Sequence, residues 1–223
     1  MHQQKGKKIL IYFFLLFFVG SINNINLNNL KLNEINFIKV SGLGDEDNLL
    51  LLEKIKSLNL NNIFSINVEK IKDVIELNNL VEKYYIFKKY PSSININIEK
   101  TKFLAKINNG GKVFFVGSNG KLTKTDFSKK QMPFIFGNPR IDDFLSLKTI
   151  IDQSEISYND VKNLYFFPSN RWDLELTNDI IIKLSDNNIK ESISLATKFL
   201  HSDEFKDAKM IDARIKNQII LND

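Results

Sequence analysis

The sequence predicts an α+β protein with an N-terminal apolar helix, a compact β-α-α-β-β unit, and a mostly antiparallel β region carrying two helices. Three observations predict it. A run from Ile9 to Ile22 is apolar on every side. Ile94, Ile96 and Ile98 alternate with Asn95, Asn97 and Glu99, the period-two pattern of a half-buried strand. Apolar residues at helical spacing, such as Ile189, Ile193, Ala196 and Leu200, separate further strand-like stretches.

The apolar run comes first. Ile9, Phe13, Phe14, Leu16, Phe17 and Phe18 leave no polar stripe, and a helix apolar all round belongs in a core or a bilayer. Lys5, Lys7 and Lys8 precede it, which places the N-terminus in the cytoplasm and exports the rest. The reading is a cytoplasmic tail over 1–8, a transmembrane helix over 9–25 and an Asn-rich spacer over 26–35. The uninterrupted run covers only ~21 Å as a helix, against a hydrocarbon core of ~30 Å. Val19-Gly20-Ser21 also offers small residues for a signal peptidase. The residues alone leave both a membrane anchor and a cleaved signal standing.

From residue 36 to 101 the elements are a strand over Asn36–Val40, a loop through Asp45-Glu46-Asp47, and a helix carrying Leu51, Leu52, Ile55 and Leu58. A second helix, capped by Ser65 or Asn67, buries Val68, Ile71, Val74 and Ile75. Strands over Leu80–Lys89 and Ile94–Glu99 flank a turn at Tyr90-Pro91-Ser92-Ser93. The isoleucines at 94, 96 and 98 are expected to face the stripe of Val68, Ile71 and Ile75.

Residues 102–223 read as mostly β. Phe103, Ala105 and Ile107 alternate, Asn108-Asn109-Gly110-Gly111 turns, Val113–Val116 follows, and Gly117-Ser118-Asn119-Gly120 turns again. After Pro133–Gly137 a helix from Asp142 buries Phe144, Leu147, Ile150 and Ile151. Trp172, Leu174 and Leu176 match Ile180, Ile182 and Leu184 across a turn at Asn178-Asp179. Asn188 and Glu191 are placed like a capping pair for the last helix. Strand pieces at Lys209–Ile215 and Gln218–Leu221 close the chain, about a break at Lys216-Asn217.

Composition narrows the function. The 223 residues hold 43% hydrophobic residues and no cysteine, so real cores form without disulfides or thiol chemistry. The net charge is +5, but basic residues are interleaved with acids and no basic run carries stacking aromatics, which argues against nucleic acid. His201 beside Asp203 and Glu204 lacks a second ligand cluster for a metal. Gly42-Leu43-Gly44 lacks the third glycine and lysine of a phosphate loop. No nucleophile elbow, zincin helix or catalytic carboxylate pair is present. The expectation is a non-enzyme without cofactor, metal or small-molecule substrate, which works by its surface and strand edges.

Phe37-Ile38-Lys39-Val40-Ser41-Gly42 at the start of the first unit, and Tyr90-Pro91 leading into Ile94–Glu99, resemble a POTRA domain. One such domain after a single apolar segment resembles the bacterial division proteins of the FtsQ family, called DivIB in other lineages. Pro133-Phe134-Ile135-Phe136-Gly137, Arg171-Trp172-Asp173-Leu174 and Ile211-Asp212-Ala213-Arg214 resemble later segments of that family in order. Asn178-Asp179 stands where the family usually has a glycine, and Ile215 where an aromatic often follows the arginine. The resemblance implies a tethered, non-catalytic scaffold of the inner membrane, its bulk in the periplasm at the division septum, that binds FtsB- and FtsL-type partners. It further implies that Arg214 meets an acidic side chain of the partner. The expected docking border is Arg214, Ile215, Lys216, Gln218, Ile219 and Ile220, with a free strand edge as its template. The alternative is a signal-cleaved POTRA protein serving outer-membrane assembly or secretion.

Overall fold

The computed structural model describes residues 3–22, 35–60, 63–64, 66–124, 131–200 and 208–222. Helix α1 (Gln3–Ile22) begins six residues before the expected span, because nothing in Gln3–Lys8 interrupts helical geometry. Residues 23–25, the expected end of the span, lie outside the described residues. Among the described residues no helix is long and apolar enough to cross a membrane. The lysines of the first turns leave only the stretch from Ile9 onward apolar. Its side chains pack on nothing: Phe13 is 73% and Leu16 75% exposed.

The first folded unit runs β1 (Phe37–Ser41), α2 (Asp45–Lys56), α3 (Val68–Glu76), β2 (Val81–Lys89) and β3 (Ser93–Lys100). Asp45–Asp47 do not form the expected loop. They make the first turn of α2, where carboxylates face the positive end of the helix dipole. Gly44 holds the preceding position at φ 121°, a conformation that favours glycine, and the Asn48 side chain accepts from the Leu43 N–H. Asn67 caps α3 by accepting from the Glu69 N–H; Ser65, the other expected cap, lies outside the described residues.

The sheet order is β1-β3-β2, with β1 parallel and β2 antiparallel to the central β3. Ile94, Ile96 and Ile98 point from β3 into a core with Leu51 and Ile55 of α2 and Ile71 and Ile75 of α3, as the alternation predicts. Val68 and Val74 are half-buried. Gly42, at φ 117°, lies so close to β3 that a Cβ there would sit 1.8 Å from the Ile98 carbonyl oxygen. Any side chain would force β1 off the sheet.

The second unit holds β4 (Phe103–Asn109), β5 (Lys112–Gly117), β6 (Leu122–Thr123), β7 (Phe134–Phe136), α4 (Ile141–Asp152), a 3-10 turn (Tyr158–Asp160), β8 (Val161–Phe166), β9 (Trp172–Leu176), β10 (Ile181–Leu184), α5 (Ile189–Leu200), β11 (Met210–Ala213) and β12 (Ile220–Asn222). Among the described residues these strands form one nine-stranded sheet in the order β12-β11-β10-β9-β8-β7-β4-β5-β6. Most pairings are antiparallel, but β4–β7, β7–β8 and β10–β11 are parallel. Each of those steps returns through a connection long enough to cross over: α4 lies between β7 and β8, and α5 between β10 and β11.

The registers align one row across the sheet. Ile107, Ile135, Leu164, Leu174, Ile182, Ile211 and Leu221 stand opposite one another in succession. This row meets Phe144, Leu147 and Ile151 of α4 and Ile193 and Ala196 of α5. Both helices therefore cover the same face, and the other face carries polar and aromatic side chains.

The two units meet at a polar joint. Two residues, Thr101 and Lys102, link β3 to β4. The Glu82 carboxylate of β2 accepts from the Thr101 hydroxyl at 3.0 Å and from the Ser118 hydroxyl at 2.7 Å. The Asn119 amide donates to the carbonyls of Asn79 and Val81, while Asn79 donates to the Leu122 carbonyl. Phe103 packs on the first core and lies 5.6 Å from the Phe115 ring.

Replacing Ile96, fully buried, with Ala should destabilise the first unit by about 2–5 kcal/mol. Asn95→Ala, on the outer face, should cost under about 0.5 kcal/mol. Denaturant melts of the two variants check the register; equal losses would refute it.

Candidate partner-binding border

The border is built where the sheet ends. β11 is held on one side by β10 and on the other by β12. β12 is the terminal strand of the sheet among the described residues. The Asn222 carbonyl accepts from the Lys209 N–H, so Asn222 turns inward. Adjacent residues of an antiparallel strand turn their backbone groups to opposite sides, which leaves the Leu221 N–H and C=O toward the open edge.

Of the six residues expected on the border, only Ile220 lies on β12. Arg214, Ile215, Gln218 and Ile219 are not in strands, contrary to expectation, while Lys216 stands in the break expected between the two strand pieces. They form the connection from β11 to β12, where Asn217 adopts φ 59° and the Gln218 N–H donates to the Ile215 carbonyl. Asparagine tolerates the left-handed region better than most residues, and here it reverses the chain. Ile215 is 52% and Ile220 47% exposed, so two apolar side chains stand in solvent at the sheet's end. Ile219 instead packs against the core.

Arg214 has a partner within its own chain. Its Nε donates to Asp212 Oδ1 at 2.8 Å and its Nη2 to Oδ2, the two-pronged geometry of a guanidinium on a carboxylate. The Asp212 side chain is only 7% exposed, against 43% for Arg214. The pair holds the Asp212 carboxyl below its usual range and the guanidinium above its own. The guanidinium therefore both fixes the end of β11 and presents its remaining N–H groups outward. A charge reversal there would set a second carboxylate beside a buried one, so it would test the fold as much as any partner.

Asp212 belongs to a row on the helix-free face. Asp173 of β9 stands opposite Lys183 of β10, which stands opposite Asp212. Arg171 reaches Asp173 at 3.2 Å, and burial pushes the Asp173 carboxyl up. One row further along, Glu175 accepts from Tyr165 and from the Asn163 amide and pairs with Lys162 at 2.9 Å. These bonds, the tyrosine's foremost, lower its pKa to about 2. Phe136 stacks on Tyr165 at 5.0 Å. The sequence signal for these acids was Asp173 and Glu175 alternating with Trp172, Leu174 and Leu176.

Among the described residues no group of three His, Asp or Glu side chains is placed to hold a metal; His2, His201, Asp203 and Glu204 lie outside them. The largest recess of the described residues near the joint, about 380 Å³, is lined by Lys102, Phe103, Lys148, Asp152, Tyr158 and Lys162 among others. Lys148 and Asp152 pair with each other within it, and the Tyr158 hydroxyl donates to the Leu104 carbonyl, so its polar groups are engaged in the fold.

Residues 33–100 match the family model described as POTRA domain, FtsQ-type. Among solved structures the chain is similar to the major extracytoplasmic domain of the trans isomer of the bacterial cell division protein DivIB from Geobacillus stearothermophilus. The identity is 13% and the TM-score 0.33, over 42% of this chain and 86% of that one. No curated protein matches the sequence.

A carboxyl held at about 2 in the folded state, against an ordinary 4.5, stabilises the fold above pH 4.5. That contribution is lost as pH falls from 4.5 through 2. It amounts to on the order of 2 kcal/mol. Glu175→Gln should therefore be less stable than the natural protein at pH 7, and the gap should close by pH 2. Thermal melts across that range check it; a constant gap would mean that the carboxylate's charge is not what stabilises the site.

Proposed function

We propose, from the premise that the chain carries an FtsQ-type POTRA domain, that it is a non-catalytic scaffold of bacterial cell division. The POTRA domain is the part read from residues 33–100. The scaffold reading adds a single-pass anchor at the N-terminus, the bulk of the chain outside the inner membrane at the septum, and docking of FtsB- or FtsL-type partners on the second unit. It takes no cofactor and carries out no reaction.

The observation that carries the docking reading is the open edge of β12 beside exposed Ile215 and Ile220. An unpaired edge offers backbone donors and acceptors to an added strand, and flanking side-chain contacts give that strand its register. Arg214, braced by Asp212, supplies a fixed positive charge at the corner, suited to a carboxylate on the incoming segment. Lys216 and Gln218 are exposed on the same connection. This bracing changes which substitutions are informative: the isoleucines are exposed and support no buried group, whereas Arg214 supports Asp212.

The double variant Ile215→Ser/Ile220→Ser should melt within a few degrees of the natural protein, because both side chains are already in water. It should capture at least about tenfold less of a membrane partner bearing FtsB- or FtsL-type segments, since central apolar contacts dominate such interfaces. Quantitative pull-down from solubilised membranes checks it. Unchanged capture by the folded variant would place the docking site elsewhere.

The anchor reading rests on α1. A helix whose apolar side chains stand exposed from Ile9 to Val19 calls for an apolar environment. Lys7 and Lys8 can snorkel to the cytoplasmic headgroups to shorten the required span. Alkaline extraction of membranes should leave the full-length chain in the pellet. A soluble species beginning near Ile22 would refute the anchor and favour a cleaved signal.

A further inference from the structure

The topology of the first unit brings one end of all its elements together. β1 begins, β2 ends and β3 begins at the same end, because Phe37 pairs with Ser93 and Lys89 pairs with Ser93 from the other side. The chain arriving from α1 is stitched to this end: the N–H groups of Asn36 and Phe37 donate to the Ser92 carbonyl. The connection between α2 and α3 returns here too, with the Phe64 ring 5.2 Å from that of Tyr90. The opposite end is occupied by the joint of Asn79, Glu82 and Thr101 with the second unit. The tether end thus points away from the second unit.

Four exposed aromatic rings gather at this end. Phe37 is 57%, Phe64 59%, Phe87 49% and Tyr90 61% exposed. Phe37, Phe87 and Lys89 share the outer face of the sheet, since their partners Ser93 and Asn95 lie opposite the buried parity of Ile94 and Ile96. Lys88 and Lys89 flank the aromatic turn, and the last turn of α2 brings Lys54 and Lys56 to the same end. Exposed rings beside lysines are the composition of a membrane–water interface, where rings sit at headgroup depth and ammonium groups meet phosphates.

We propose that this tether end seats on the outer face of the bilayer that α1 enters, with Phe37, Phe64, Phe87 and Tyr90 in the headgroup layer and Lys88 and Lys89 on anionic phospholipid. The inference rests on the anchor reading above. Three features select a lipid surface as the occupant. The tether delivers this end, and not the other, to the membrane. The positive charge complements an anionic leaflet. The rings come from β1, β2, the α2–α3 connection and the β2–β3 turn, and gather at one end of the unit. The ten residues of the expected spacer, 26–35, could span up to roughly 35 Å, so tethering alone does not force the contact.

The absence of cysteine makes the test direct. Full-length protein with the single substitution Tyr90→Cys, labelled with an environment-sensitive fluorophore, is reconstituted in nanodiscs of phosphatidylcholine and phosphatidylglycerol. Asn178→Cys, in the exposed turn between β9 and β10, is the control, and Phe87→Cys serves if Tyr90→Cys fails to fold by its melting curve. Spin-labelled headgroup lipid should quench the label at 90 at least about twofold more than the label at 178. Adding Lys88→Glu/Lys89→Glu, or omitting phosphatidylglycerol, should remove most of that difference. Equal quenching at the two sites overturns the proposal, as does a label at 90 that becomes shielded only when a second membrane protein is added. Alkaline extraction of the same discs' protein from vesicles separates the premises. If the chain is released, the anchor reading fails, and the tip is then judged by whether the label meets added anionic vesicles.

Discussion

The structure depends on the short link at Thr101 and Lys102. Because β3 passes into β4 over only two residues, the two sheets cannot separate, and the polar groups around the link have to satisfy one another. Glu82 does this by accepting from both Thr101 and Ser118, and Asn119 does it by holding the backbone of residues 79 and 81. Hydroxyl donors on a carboxylate form stronger bonds than neutral pairs. The joint is also fastened on more than one element, which a single flexible linker would not be. Its consequence is directional: the tether end and the β12 border are attached to opposite sides of a common fixture.

The second sheet shows how one face can be given to stability and the other to polar work. The row from Ile107 to Leu221 lies under α4 and α5 and supplies the core. The parity next to it carries Asp173, Lys183 and Asp212 in alternating sign. A carboxylate as buried as Asp212 would be costly alone; two donors from Arg214 and the facing Lys183 offset that cost. The row ties β9, β10 and β11 together, and β12 pairs on β11.

Much of the first unit could be read from its residues because its strands alternate cleanly. Ile94, Ile96 and Ile98 stand in one face with polar partners between them, and β2 repeats the pattern through Tyr84 and Ile86. The failures have physical causes. Asp45–Asp47 read as a loop because consecutive acids after glycine are common in turns, yet a helix start stabilises them equally well. β8 has no clean alternation because its register shifts between Val161 and Asn163, so that Val161 and Leu164, three residues apart, are both buried. β7 is three residues long and is recognisable only through its parallel neighbours on both sides. At the border the break at Lys216-Asn217 is legible, but the strands on either side are shorter than their apolar pattern suggests: Ile215 and Ile219 flank the reversal at Asn217 and fall outside both. The sequence offers Arg214 to an acid of a partner, whereas the acid it grips in the structure is Asp212, two residues away in its own chain.

The fastened joint also turns the first unit into a stand-off. β3 alone is about 26 Å long at ordinary strand rise. A body of that height separates the tether end from the second sheet. It also acts as a lever arm. A tilt of about 10° at the joint would carry the tether end sideways by roughly 4–5 Å over that length, close to the spacing of one strand from the next. Small changes in packing at Glu82 and Asn119 are therefore amplified into changes of height and register at the far ends, so the joint's tolerance for substitution is narrower than its small buried area would suggest.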